Sequence, residues 1–276
     1  MIIRPLETLA EYHAAEELEQ AVWGHGERDV VPYHVTLTAQ KNGGLVLGAF
    51  DTAHNPPTLV GFTFGFVGRT SDGILKHCSH QLGVLPAYRD QNVGYRLKLA
   101  QREFVLRQGI QLMTWTYDPL ESRNANLNLH KLGAVCNTYL RDLYGSMEDG
   151  LNAGLPSDRF QVDWHLSSQH VTARLAGTAP APGVAALLAA GVPLLNPAPA
   201  ADPEAPASTC ESLAGQQVLL RFPANMQQIK ASRPELALPW RLQLRELCEA
   251  AFAAGYTVVD MLAEAGLSCY LLKQPL

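Results

Sequence analysis

Apolar residues in this chain of 276 residues follow two rhythms, one helical and one alternating. From Leu9 to Trp23 they recur at helical spacing, with Glu11, Glu16, Glu17 and Glu19 on the other faces. That pattern predicts an amphipathic helix. Met1 to Leu6, just before it, reads as a strand and turn. Gly24 to Gly44 is broken by Gly24, Gly26, Pro32 and Gly43-Gly44 and reads as a long irregular connection. Leu45 to Phe50 and Thr58 to Val67 are apolar runs around an Asn- and Pro-rich turn, the signature of a hairpin. Gly73 to Leu85 supplies another strand. Val93 to Gln108 is helical, with Val93, Leu97, Ala100 and Phe104 as its apolar stripe and Gly109 as its stop. Strands follow at 111–117, 135–140 and 160–166, with a short helix at 123–131 between the first two.

The pattern then changes. Residues 171–215 are dense in Ala and Pro, a composition that gives extended, semi-rigid backbone, and they read as a linker partly ordered on the protein surface, with Val184 to Leu195 as a short helix or an apolar docking segment within it. Order returns at 217–222 as a strand. Pro239 to Ala254 reads as a helix with Trp240, Leu244, Leu247 and Ala251 on one side. Strands at 256–262 and 267–272 close the chain. The predicted organisation is a domain over 1–170, a linker over 171–215 and a small β-α-β-β unit over 216–276. That unit is too small to bury two faces alone, so it packs on the first domain or on a second copy, which makes a homodimer one of the expected states.

Composition narrows the partners. The formal net charge is −5, 47% of residues are hydrophobic, and no block of Lys or Arg stands out. Nucleic acid is not expected, because phosphate contacts need a basic surface. No apolar run reaches the length of a membrane span, and the N-terminus lacks the pattern of a signal peptide, so a cytoplasmic protein is expected. Five cysteines at no C-x-x-C spacing predict free thiols, not a disulfide framework. No H-x-x-x-H pair occurs, and no metal site is expected.

The richest stretch is Gln81 to Arg96. An apolar strand ends at Pro86, a polar turn follows, and a helix begins near Val93. Such a turn presents several backbone N–H groups, and the helix behind it adds the positive end of a dipole. Together they suit a phosphate or pyrophosphate.

Val84, Pro86, Arg89 and Gly94 in this stretch match motif A of the GCN5-related N-acetyltransferase superfamily, V-x-P-x-x-R-x-x-G-x-G/A. Asn92 stands where the first glycine is usual, and Asn is the residue other than Gly that best tolerates a left-handed backbone. A second landmark, motif B, reads N-x-x-A-x-x-L-Y-x-K-L-G-F. Ala125, Lys131, Leu132 and Gly133 match it, while Ser122, Leu129 and Ala134 replace the Asn, Tyr and Phe. The order β-α-(loop)-β-β-β-α-β-α-β-β from Met1 to about Ser168 also resembles this superfamily. The resemblance implies an α/β (α+β) fold of the acyl-CoA N-acyltransferase kind, a mixed central sheet flanked by helices.

That resemblance also implies a chemistry: acetyl transfer from acetyl-CoA to the amine of a small molecule or protein, by direct attack and without a metal. Leu82, Gly83 and Val84 would then hold the pantetheine arm. The turn Arg89, Asp90, Gln91, Asn92, Val93, Gly94 and Tyr95 would grip the diphosphate through main-chain amides. Asn124 and Asn128, four apart on one helix face, would either line the coenzyme groove or cap and solvate the helix. His80 shares a strand face with Leu82 and Val84 and is the expected general base, with His77 an outside candidate. The usual acid, the motif B tyrosine, is Leu129 here, leaving Tyr117 and Tyr139 as candidates or a thiolate that departs unaided. Glu27, Asp29, Tyr33 and His34 are the polar groups of the stretch that would shape the acceptor pocket, the acidic pair favouring a cationic amine. Two other readings stay open: a catalytically silent CoA-binding or regulatory module, and a scaffold that binds no nucleotide.

Overall fold

The computed structural model describes residues 1–24, 30–145, 147, 154–180, 182–264 and 266–275. They form two compact units. Of the described residues, the first takes 1–115 and 165–167 and the second takes the remainder. The division between these two units falls near Trp115. The predicted linker belongs to the second unit.

The first unit opens with strand β1 (Ile2–Pro5) and helix α1 (Leu9–Trp23). Thr8 starts α1 with a capping box: its hydroxyl accepts from the Glu11 N–H, and the Glu11 carboxylate accepts from the Thr8 N–H. Arg4 reaches the same carboxylate at 2.6 Å, tying β1 to the first turn of α1. Helix α2 (Tyr33–Lys41) lies within the stretch read as irregular. Its nine residues bury few side chains, so its periodicity is weak in the sequence. Glu27 and Asp29 lie outside the described residues.

Strands β2 (Leu45–Asp51), β3 (Thr58–Arg69) and β4 (Leu75–Val84) follow as an antiparallel meander. β1 pairs antiparallel with β2, placing Ile2 opposite Phe50. After β4 come helix α3 (Val93–Arg107) and strand β5 (Leu112–Tyr117), which returns parallel to β4. Alternation along the strands divides the core. Val46, Phe50, Phe62 and Phe64 pack with Tyr12 and Leu18 of α1. Leu45, Leu47, Ala49 and Val60 pack with Val93 and Leu97 of α3 on the other face. A fully buried Leu of this kind contributes about 1.5–3 kcal/mol.

In the second unit, helix α4 (Ser122–Ala125) runs into a π-helical turn at Asn126–Lys131, where one helix of ordinary pitch was expected. Strands β6 (Val135–Leu140) and β7 (Arg159–His165) pair antiparallel. Helices α5 (Gln169–Leu175) and α6 (Val184–Ala189) follow, then strand β8 (Gln217–Phe222), helices α7 (Met226–Ser232) and α8 (Ala237–Ala253), and strands β9 (Thr257–Glu264) and β10 (Leu267–Lys273). β9 pairs with β10 and, at Val258, with Cys136 of β6, while β8 pairs with β10. The terminal strands thus extend the sheet that β6 and β7 begin.

The Ala/Pro segment docks in the same unit. Val184 and Leu187 enter an apolar cluster with Leu219, Leu262 and Leu271, and the Leu195 N–H donates to the Leu219 carbonyl. Proline suits this role, because docking through side chains and isolated bridges needs few backbone donors. On α8 the buried stripe is Trp240, Arg241, Leu244, Cys248 and Ala251, with Leu247 only half-buried. Arg241 is 1% exposed at its side chain and donates to Asp118 at 2.8 Å, a buried ion pair within the unit.

Candidate active site

The site is built from the first unit alone, starting from β4. This strand pairs with β3 from Leu75 to Val84, but with β5 only at His77↔Met113 and Cys78↔Thr114. Among the described residues no β4–β5 rung forms beyond Cys78. From Ser79 onward the edge of β4 that faces β5 is therefore open to another hydrogen-bonding partner. Leu82 and Val84 pack towards Val93 and Leu97, whereas Gly83 faces Leu18 and Trp23.

Past Val84, a single 3-10 turn at Pro86–Tyr88 leads into the polar turn. Arg89, Asp90, Gln91 and Asn92 are exposed, Gly94 and Tyr95 half-buried, and the Val93 side chain is buried as an anchor. Asp90 (φ 66°) and Asn92 (φ 57°) both adopt the left-handed backbone, so Asn92 takes the conformation for which glycine is usual. The first α3 bond back to this turn is from the Arg96 N–H to the Asn92 carbonyl. Val93, Gly94 and Tyr95 therefore present N–H groups that the helix does not use. Arg89 donates to the Val84 carbonyl at 3.4 Å, and Tyr88 donates to Asp51 at 2.7 Å, holding the turn against β2.

His80 does not share a face with Leu82 and Val84. Phe64 pairs with Gln81 and Gly65 with Ser79, so His80 is the extra residue of a β-bulge, which breaks the alternation. Its ring sits 5.8 Å from Phe64 and 6.1 Å from Phe66, on the side where Phe64 packs with α1. The residue is exposed, but the two aromatic rings desolvate its imidazole and lower its pKa. Beside it, Gln81 donates to Glu19 at 2.6 Å, and the Val31 N–H donates to the same carboxylate oxygen at 3.2 Å. Glu19 is 2% exposed, and its pKa is raised by desolvation. The helical pattern placed it on a solvated face. Its partner Gln81 is 62 residues away, and nothing in the local spacing shows that pairing.

On the α3 face lies a second polar group that the sequence reading missed. Lys98 of α3 is 2% exposed. It donates to the Ser79 hydroxyl at 2.7 Å, and its Nζ lies 3.6 Å from the centre of the Trp115 ring. Ser79 donates to the Gln101 Oε1 at 3.0 Å, and the Gln101 amide faces His77 Nε2 at 3.1 Å. Since the amide nitrogen only donates, Nε2 accepts and the His77 proton sits on Nδ1, which is buried without a partner. Burial lowers Lys98 to about 7, and burial next to Lys98 lowers His77 to about 4. Gly65 makes room for this chain: a Cβ there would lie 2.3 Å from His77 Nε2. The clue in the sequence was a Lys and a Gln, three apart, inside the apolar arc of a helix.

The remaining candidates belong to the second unit. Tyr139 donates to Asp158 at 2.7 Å, and the Tyr117 hydroxyl lies 3.5 Å from that of Tyr270. Burial raises the pKa of both tyrosines. Leu129, at the motif B tyrosine place, is fully buried. Asn128 is buried and its carbonyl accepts from the Ala134 N–H. Asn124 is exposed. Among the described residues no His/Cys/Asp/Glu group could hold a metal, and no helix is long and apolar enough to cross a membrane.

Element for element, residues 2–165 give β-α-α-β-β-β-α-β-α-β-β. That is the order the resemblance implies, with α2 added. No protein-family model matches the chain, and no curated protein matches it. Solved structures similar to it include three acetyltransferases or their complexes. One is the NatC complex bound to Gag peptide and CoA, with 14% identity over 59% of this chain and 97% of that one and a TM-score of 0.48. Another is the ribosomal-protein-S18-alanine N-acetyltransferase from Escherichia coli, with 17% identity over 60% and 94% and a TM-score of 0.46. The third is the aminoglycoside 6'-acetyltransferase type Ii, with 16% identity over 61% and 99% and a TM-score of 0.48.

Proposed function

We propose that this chain is an acyl-CoA-dependent N-acyltransferase of the GCN5-related superfamily, moving an acetyl group from acetyl-CoA to an amine. The observation that carries the reading is the parting of β4 from β5 beyond Cys78, with an exposed turn and the start of α3 at the end of the open strand. The open edge of β4 suits the amide-bearing pantetheine arm. The N–H groups of Val93, Gly94 and Tyr95 suit its diphosphate. An arm anchored at the turn and lying back along β4 ends beside Ser79 and His80. His80, in the bulge and kept neutral near pH 7 by its depressed pKa, accepts the proton lost by the attacking amine.

Two measurements test this. Acetyl-CoA at one hundred times its dissociation constant adds about 2.7 kcal/mol to stability and raises the thermal midpoint. No shift with either acetyl-CoA or CoA removes the proposal. Consumption of the thioester in the presence of an amine panel then separates an enzyme from a silent CoA-binding module. In an active protein His80→Ala lowers kcat/KM about 100-fold. It also abolishes the acid limb of the pH profile, which the depressed His80 pKa places below about pH 6.5. An unchanged profile in the variant removes His80 from the role.

A further inference from the structure

Lys98 poses a physical problem that the proposed reaction leaves unused. A buried ammonium is costly unless a carboxylate compensates it, and among the described residues Lys98 has no carboxylate partner. Its environment is otherwise built with care. Ser79 and the Trp115 face hold the charge, and Gln101 and His77 continue the chain of hydrogen bonds. The glycine at 65 is needed to accommodate it. The neighbourhood has few charges. β4 turns His77 and Ser79 towards the group, β5 turns Trp115, α3 adds Gln101, and the neighbouring Leu97 of α3 enters an apolar cluster with Leu45 and Leu47 of β2. Among the described residues, His77 is a titratable neighbour of Lys98, and it is neutral at pH 7.

Position in the fold gives the group its meaning. Ser79 is the first residue of β4 beyond the last rung to β5, at the apex of the opening between the strands. Because residue 80 bulges, Val84 to Ser79 spans the four steps from Gly61 to Gly65 on β3, about 13 Å at ~3.3 Å per residue. A thioester arm lying along β4 from the turn therefore brings its sulfur to this apex. The chemistry requires a proton there. Of the tyrosines considered for that task, Tyr117 is buried with its hydroxyl against Tyr270, Tyr139 is half-buried and donates to Asp158, and Leu129 has no proton to give.

We infer that the Ser79 hydroxyl, backed by the Lys98 ammonium, protonates the thiolate that leaves the acyl thioester; this rests on the acyltransferase reading above. The amine nitrogen bonds to the thioester carbonyl carbon and passes its proton to His80. The C–S bond breaks and its electron pair stays on sulfur. Sulfur takes the Ser79 proton, Ser79 takes one from Lys98, and solvent restores the ammonium. Ser79 is the residue that touches sulfur, and Lys98 is the reservoir behind it.

The test uses the full chain with Lys98→Met and Ser79→Ala, acetyl-CoA and an amine that the wild type accepts. Replacing a buried charge by an apolar side chain of similar length does not endanger folding, and thermal melts check this. Both variants are expected to bind acetyl-CoA as the wild type does while kcat falls about 100-fold. The wild-type kcat falls as pH rises above about 7, because the acid loses its proton there; both variants lose that basic limb. A Lys98→Met or Ser79→Ala enzyme that keeps the wild-type kcat and its basic limb overturns the inference. A wild type that neither binds nor consumes acetyl-CoA overturns instead the reading on which it rests.

Discussion

At the scale of single residues, burial decides more than residue type. Glu19 and Lys98 have the composition of solvated helix faces, yet each is 2% exposed and turned towards β4. For Lys98 the cost is measurable by linkage. Its pKa is about 7 in the folded chain and near 10.5 unfolded, so the unfolded state binds more protons between those values. Stability therefore rises with pH from about 7 to about 10.5, by at most about 1.4 kcal/mol per unit. Denaturant titrations across this range check the slope, and Lys98→Met is expected to flatten it. The same comparison shows where local reading stops. His80 was legible as a candidate, but its face was misassigned, because a bulge is a property of two strands and not of one.

At the scale of elements, long periodic helices and turns were the most legible features. The observed α1 is the predicted Leu9–Trp23, started by the Thr8–Glu11 capping box. Asn92 is the sharpest case. It occupies a left-handed conformation at φ 57°, immediately before α3. Asn92→Gly is expected to preserve stability and acetyl-CoA affinity, because glycine adopts this backbone freely. Asn92→Val is expected to cost about 1–2 kcal/mol and to weaken acetyl-CoA binding by displacing the N–H groups that follow. Melting curves with and without ligand distinguish the two. A Val variant as stable as the wild type refutes the assignment. Elements without a strong period, such as α2 and α7, were missed for the opposite reason. Each is short and buries few residues, so its sequence carries little amphipathic signal.

At the scale of the molecule, each unit is built as a largely antiparallel sheet with helices, the first adding β5 parallel to β4. The cysteines report their integrity. All five are free; Cys210 is exposed, Cys78 is half-buried, and Cys136, Cys248 and Cys269 are buried. Desolvation of the buried three raises their pKa and suppresses the reactive thiolate. A thiol reagent at neutral pH is expected to label Cys210 promptly and Cys78 slowly. The other three react only when denaturant unfolds the second unit. Prompt labelling of Cys248 in native protein contradicts the packing described for α8.

By itself the sequence determined the longer helices and strands and their order, the apolar stripe of α3 and the turn at 89–95, because each depends on contacts within a few residues of the chain. Tertiary structure alone decided that β4 leaves β5 after Cys78, that residue 80 bulges, and that Ser79 meets Lys98 under Trp115. It also decided that the Ala/Pro segment docks and does not merely connect. These outcomes depend on strand register and on the shape left between packed layers. Both are set by residues distant in the chain, and no local spacing encodes them.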